Sequence, residues 1–325
     1  MTFASQSDPW TTTVVDAGGR YGVHPSWRGW EAPLAYTMFE PEPVEAARLA
    51  EKYAGRDDIL VRQEALGDEP DSQLELHITA HRGYVGATPP NPESVWFTDV
   101  RPDEGVVEGQ IEVPCTTLDA HAAGARVDFL KIDVEGTELK VLRGAANTLT
   151  HALGLRVEVQ FDDSFGSQTA SDIFRDLIDE RDFRLMRLDY AGKGQPLSYL
   201  VAGDGYGALL GSDAVFVRKT ETVAFWGGET AAAALIKLAA FALRNDMPDY
   251  AVVCMNHLHD VGWTCPAEEP AIRRYLRKLF TLAASRLRRV SAALYEQAAL
   301  DYQRVFGERM LTRHELFESA WLNPG

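Results

Sequence analysis

Hydrophobic and polar positions come in blocks over the first two thirds of the chain. Residues 11–16 (TTTVVD) are β-branched and run into glycines, which predicts a first strand, a tight turn and a helix beyond it. A second strand is expected at 34–39 (LAYTMF), then a helix at 43–53 carrying Ala46, Ala47, Leu49 and Ala50. Short apolar runs at 59–61, 129–132 and 155–161 predict a third, a fourth and a fifth strand. A helix at 170–180 and strands at 183–189 and 214–217 follow, the last two as a late hairpin. Strands and helices alternating in this way imply right-handed crossovers, hence an α/β fold with a mostly parallel sheet and helices on both faces.

Two stretches depart from the alternation. Residues 74–79 (LELHIT) read as a further strand, and 84–109, rich in Pro, Gly and Asn, as a long irregular loop. A loop of that length is either functional or an ordinary surface excursion, and the residues favour neither. Beyond Gly227 the period becomes helical. Residues 230–244 are alanine-rich, and Leu276, Leu279, Ala283, Leu287, Val290 and Leu294 recur at spacings of three and four. The expected division is therefore an α/β domain at 1–227 and an all-helical C-terminal extension at 228–325. The alanine-rich helix could pack on its own domain or, in a homo-oligomer, on a second copy of the chain.

Composition narrows the classes. The 325 residues are 46% hydrophobic, enough to bury a sizeable core, and the net charge of −16 repels nucleic-acid phosphates. A nucleic-acid partner is not expected. Cys115, Cys254 and Cys265 are few, odd in number and far apart, which argues against a disulfide framework and a zinc site. Residues 1–10 carry no basic or apolar leader, and no apolar run reaches the ~20 residues of a membrane span. The expected location is the cytoplasm, away from membranes. Arg273, Arg274, Arg277, Lys278, Arg286, Arg288 and Arg289 crowd one helix. A solvated or docked face is the favoured reading, ahead of an anion site.

The candidate chemistry starts at Asp16-Ala-Gly-Gly-Arg-Tyr-Gly22. Glycines after a strand allow positive φ and a close backbone approach to a ligand. A dinucleotide site would keep an acid away from this turn, so Asp16 suits a ligand with a positive group. Glu40 ends the second strand, where doubly wound folds place an acid for ribose hydroxyls. Together they describe a nucleoside with an ammonium-bearing tail, S-adenosyl-L-methionine. Asp133 lies at the end of the fourth strand, the edge where ligands bind, and Glu135 follows it. Glu138 reads as a helix-start charge. Glu158 sits in a central strand that should be apolar, so it needs a partner or a task. His24 is expected in the first helix with a structural role. His81 lies on the approach to the long loop.

The segment VDFLKIDVEGTELKVLRGA at 127–145 resembles the signature of the FkbM-type methyltransferase family. The resemblance extends over VVDAGGRYG, FEPEP at 39–43, EALGD at 64–68, TLD at 117–119, VEVQF at 157–161 and SDAVFVR at 212–218. It implies a class I, Rossmann-like methyltransferase fold and O-methylation of a hydroxyl on a carbohydrate, glycan or polyketide-type natural product. By position it implies Asp16, Gly18 and Gly22 as the donor-binding turn, Glu40 as the ribose ligand, and Ala65 and Leu66 as part of the adenine pocket. Arg20 and Tyr21 are bulkier than is usual in that turn. Gln160 stands where the family often has an acid.

Methyl transfer needs an aligned hydroxyl and a group to take its proton. Asp133 is the first candidate, then Glu135 and His81. No metal ligand set is predicted, since Asp133 and Glu135 alone are a weak pair. Two other readings remain: a degenerate, non-catalytic binding or assembly module, motivated by Arg20, Tyr21 and Gln160, and a nicotinamide oxidoreductase, against which Asp16 argues.

Overall fold

The computed structural model describes residues 9–166, 168–193, 207–263, 270–288, 291–307 and 309–310. Residues 1–8, Cys265 and Arg289, each part of the sequence reading, lie outside them. Among the described residues, ten strands form two sheets. The large one is ordered β3-β2-β1-β7-β8-β10-β9, from β1 (Thr12–Ala17), β2 (Leu34–Phe39), β3 (Ile59–Arg62), β7 (Phe129–Ile132), β8 (Gly154–Gln160), β9 (Phe183–Lys193) and β10 (Leu209–Arg218). β2 and β3, β1 and β7, and β7 and β8 pair in parallel, while β10 runs against β8. The strand order reverses between β1 and β7, and a crevice opens at the carboxyl ends of such a pair.

Local sequence explains the short helices. α1 (Pro43–Lys52) starts on Glu42, whose carboxylate accepts the amides of Val44 and Glu45, with Pro43 in the first turn, where its missing N–H costs nothing. Ala46 and Leu49 are its buried face. α2 (Leu118–Ala122) is capped by Thr117, whose hydroxyl accepts the Ala120 amide. α3 (Glu138–Arg143) and α4 (Ala170–Phe174) complete the set, and α4 continues as a wider π-helical turn, Arg175–Glu180. Leu118, Val141, Leu142 and Ile173 from these helices join Val15, Leu130, Leu155, Val157 and Phe216 of the strands in one core.

The helix expected after β1 does not form. Residues 18–33 are turns and bends. Gly18, Gly22 and Gly29 all have positive φ, and Pro25 and Pro33 have no amide to donate, so a helical ladder cannot run through the segment. His24 therefore sits in a turn, its amide donating to the Tyr36 hydroxyl at 3.2 Å. The long loop also differs from expectation. It contains a 3₁₀ turn (Arg82–Tyr84) and a π-helical turn (Trp96–Val100), and its last residues start a strand, β6 (Val107–Thr116). β6 pairs antiparallel with β5 (Ser72–Thr79) and parallel with β4 (Ala65–Leu66) in a second, three-stranded sheet. Gly109 and Pro114 hide this strand in the sequence, yet Ile111, Val113 and Cys115 alternate onto its apolar face.

The chain divides into two compact units. The first comprises Thr13–His24 and Leu34–Val217; the second takes Pro25–Pro33 and the chain from Arg218. The second holds α5 (Thr220–Ala224), α6 (Gly228–Arg244), α7 (Pro248–Asp260), α8 (Pro270–Leu287) and α9 (Ala292–Phe306). Every residue from Ala231 to Leu243 of α6 is buried, and α5, α7 and α8 pack against it. Trp27 packs on Phe241 at 5.9 Å, and Arg244 Nε donates to the Ser26 carbonyl at 2.8 Å. Three basic residues of α8 dock inside this unit. Lys278 pairs with Glu31, Arg273 donates to the Phe306 carbonyl, and Arg286 reaches the Leu243 carbonyl and Asp246. Of the apolar repeat beyond Leu287, Val290 lies outside the described residues and Leu294 belongs to α9, which starts on a Ser291 cap. Among the described residues no helix is long and apolar enough to cross a membrane.

Candidate active site

The register of β1 and β7 sets Asp16 beside Lys131. Lys131 Nζ lies 3.3 Å from Asp16 and 3.1 Å from Asp133, and donates to the Gly18 carbonyl at 2.9 Å. Burial works against its charge, but Asp133 and Asp16 outweigh this and hold its pKa above the ordinary lysine value. Tyr36 donates to the other Asp16 oxygen at 2.6 Å. Burial, then Asp16, pushes the tyrosine pKa well up, so it stays a donor. Asp16 is 1% exposed and its pKa is raised by burial against the pull of Lys131 and Tyr36. The positive group it meets is thus the chain's own lysine, and Asp16 does not line the cavity above it. Gly22 does not line it either: its α-carbon faces Tyr53 and Lys52.

That cavity is built from several separate segments of the first unit. Ala17, Gly18, Arg20 and Tyr21 come from the β1 turn, Phe39, Glu40 and Pro41 from the end of β2, and Ala65 and Leu66 from β4. The small sheet and the segment after it add Leu74, Leu76, Gly83, Val85, Gly86 and Ala87. Asp133, Val134, Glu135 and Thr137 close the far end. The long insertion is therefore a wall of the cavity and no mere surface excursion. Glu40 is 4% exposed; its Oε1 accepts the Glu42 amide at 3.0 Å, and among the described residues Oε2 has no donor. Burial, only partly offset by Arg20, pushes its carboxyl up to about 7. Arg20 is drawn aside by Glu42 at 3.5 Å. Tyr21 is 66% exposed, so the two bulky turn residues edge the cavity without plugging it.

The loop after β7 carries the carboxylates. Glu135 and Gly136 both have positive φ, +58° and +97°, and a side chain at Gly136 would strike Phe165. Glu138 holds this shape. Fully buried, it accepts the amides of Val134 at 2.9 Å and Gly136 at 3.2 Å, and the side-chain amide of Gln168. The sequence suggested only a helix-start charge; the signal it offered was the four-residue spacing from Val134. Glu138→Ala leaves these donors unmet and is expected to lower stability by about 2 kcal/mol, read from urea unfolding.

Glu135 also lines a second cavity, with Tyr84, Trp96, Phe165, Glu158, Gln160 and Asp213 among its walls. Tyr84, Phe97 and Phe165 form a mutual aromatic cluster, with ring centroids 5.2 to 6.0 Å apart. Asp133, Glu135 and Glu158 each bring a carboxylate oxygen within 4.8 Å of the other two. Burial, then Asp133, raises Glu135 well above the ordinary carboxylate range; burial, then Glu135 and Asp133, does the same to Glu158. His81 stands apart. It is exposed, lines neither cavity and accepts the Gly83 amide at its Nδ1, 3.2 Å away. The loop capped by His81 brings in Tyr84 and Gly83 instead. Sequence reasoning also missed Lys131, whose signal was a charge inside an apolar central strand.

A mostly parallel sheet in this strand order, with one reversed strand set next to its edge and a crevice at β1 and β7, is the Rossmann-like fold of class I methyltransferases. The profile of the methyltransferase FkbM domain matches residues 23–185, half of the chain. The chain belongs to the FkbM methyltransferase family. A search of curated proteins finds no match. Solved structures that resemble it are distant. Sp1610 of Streptococcus pneumoniae, a candidate tRNA (m1A22) methyltransferase, is 12% identical over 79% of this chain and 96% of its own, with a TM-score of 0.33. A Streptococcus agalactiae protein of the NADB-Rossmann superfamily is 11% identical over 79% and 92%, with the same TM-score. The 23S rRNA methyltransferase ErmE is 10% identical over 72% and 79%, with a TM-score of 0.28. The strand order, rather than these likenesses, defines the fold.

Proposed function

We propose that the protein transfers a methyl group from S-adenosylmethionine to a hydroxyl of a polyhydroxylated acceptor, a carbohydrate, glycan or polyketide-type natural product. The observation that carries this is the lining of the second cavity. Tyr84, Trp96 and Phe165 offer flat apolar faces, and Glu135, Glu158, Gln160 and Asp213 offer oxygen acceptors for several hydroxyls. A sugar ring presents both surfaces. Exchange of a single carboxylate for an amide at Gln160 leaves this character intact.

The first cavity fits the donor. Glu40 Oε2, without a protein partner, takes the ribose hydroxyls, and Ala65, Leu66, Phe39 and Leu74 give the adenine an apolar slot. Gly18 brings bare backbone to the methionine end. Asp16 acts indirectly, by fixing Lys131 and through it Asp133. The bound donor supplies a methyl on sulfonium sulfur, already activated for displacement. The chain holds the acceptor oxygen in line and receives its proton among Asp133, Glu135 and Glu158. Glu135 borders both cavities, so it stands where the two reactants meet.

The test is transfer from methyl-labelled donor to a panel of sugars, glycans and macrolide alcohols, read by NMR of the product. An O-methyl ether on one class is expected. Methylation of nitrogen or carbon only, or no transfer by a protein shown to bind the donor, would overturn the reading.

A further inference from the structure

Between the two cavities the fold assembles a set of oxygens larger than proton transfer needs. Asp133 and Glu135 follow β7, and Glu158 belongs to β8. The parallel register pairs Ile132 with Val157, which puts the three carboxylates side by side. Their closest oxygens span no more than 4.8 Å. Oxygens around a single hard cation, bound at about 2.1–2.5 Å, lie at most about 4–5 Å apart.

The donors needed to satisfy these oxygens are missing. Glu135 Oε2 and Glu158 Oε2 are shielded from solvent and have no hydrogen-bond partner. Among the described residues, no cation pairs with either side chain. Lys131 touches only Asp133 of the three and is shared with Asp16. Arg156 is engaged by Asp189 and Asp213. An independent residue repeats the pattern. Gln160, two positions beyond Glu158 on the same face of β8, is 6% exposed and lines the same cavity, and its Oε1 is also unpartnered. Its amide oxygen does not titrate, so it calls for a donor or a cation at any pH. A neutral oxygen on the face of β8 that carries Glu158, lining one cavity with Glu158 and Glu135, adds to the three clustered carboxylates the kind of donor a hard divalent ion takes.

We propose that Asp133, Glu135 and Glu158, with Gln160 completing the set, form a binding site for a hard divalent cation such as Mg²⁺ or Mn²⁺. The cation neutralises the like charges that the sheet brings together. Sequence alone offered Asp133 and Glu135, two ligands close in the chain; the other two arrive on a neighbouring strand. That the ion would also attract an acceptor hydroxyl rests on the proposed function. Its binding does not, and the two claims fail separately.

The experiment is Mn²⁺ titration of the full chain without donor or acceptor, with free Mn²⁺ followed by electron paramagnetic resonance. One site per chain is expected to fill below about 1 mM, with a matching rise in melting temperature. Glu158→Gln and Glu135→Gln should each weaken binding at least about tenfold. They should also melt at or above the wild-type temperature without metal, because an amide removes the cost of holding an ionisable acid buried beside like groups. The melting curve shows whether each variant is folded; if Glu135→Gln is not, Glu158→Gln decides. No occupancy at about 1 mM Mn²⁺, or unchanged affinity in the folded variants, overturns the site.

Discussion

Glu40→Ala is expected to weaken S-adenosylmethionine binding by roughly 100-fold or more. Two ribose hydroxyls donating to one carboxylate are worth about 1.5–3 kcal/mol each, and about 1.4 kcal/mol is tenfold in affinity. Glu40 is nearly fully buried, so little water can replace it as an acceptor. Calorimetry on the variant reads the loss directly, and affinity within threefold of wild type would remove Glu40 from the donor site. The same residue gives the binding a pH dependence of definite sign. Burial places the Glu40 carboxyl at about 7 in the free protein, with Arg20 pulling down and Glu45 and Glu42 pushing up. Ribose hydroxyls hold the charged form. Donor affinity should therefore rise with pH through about 7 and level off above it, by at most tenfold per unit. For folding the sign is opposite. The folded state keeps this proton more tightly than the unfolded chain does. Its contribution to stability is therefore complete below the unfolded value of 4.5 and is lost as pH rises through about 7. Glu40→Gln should lose the Glu40 component of both slopes while keeping one acceptor oxygen, with an affinity between those of wild type and the alanine variant.

Gly18→Ala is expected to cost at least about 3 kcal/mol of stability and to abolish donor binding in whatever remains folded. Two penalties add. The residue has a φ of +80°, where an L side chain costs about 1–2 kcal/mol. A β-carbon there would also lie 1.8 Å from the backbone oxygen of Asp133, an overlap that no rotamer relieves. The β1 turn and the β7 loop would have to separate. Lys131, which holds the Gly18 carbonyl together with Asp16 and Asp133, would lose its geometry with them. Gly29→Ala is the control. It has a φ of +66° and open space around it, so only the backbone penalty of about 1 kcal/mol applies. Urea unfolding of the two variants should differ by at least about 2 kcal/mol; equal losses would mean that the close approach of the two loops carries no energy.

The site was unevenly legible in the chain. Glu40, Asp133 and Glu135 could be placed from the sequence because each ends a strand or follows one, and strand ends face the crevice in any sheet of this type. Glu158 could be flagged, since a carboxylate inside a buried strand contradicts its surroundings, but its neighbours could not be named. Asp16 was visible as an acid and misjudged in its partner, because the ion pair with Lys131 is set by a register 115 positions apart in the chain. His81 drew attention by its chemistry alone, and the structure uses it to cap a turn. Glu138 was read only as a helix-start charge, because nothing local shows that the preceding loop folds back over it.

What the sequence determined by itself was the strands of the large sheet and the acids at their ends. These follow from local facts: β-branched runs, glycines after a strand, a proline and an acid opening a helix. Only the tertiary structure decided which of those acids stand free and which are paired, that the long insertion becomes a cavity wall, and that β8 delivers Glu158 and Gln160 beside the β7 loop. The physical reason is pairing between strands. It joins residues far apart in sequence, and a shift of one position would turn each of these side chains to the opposite face.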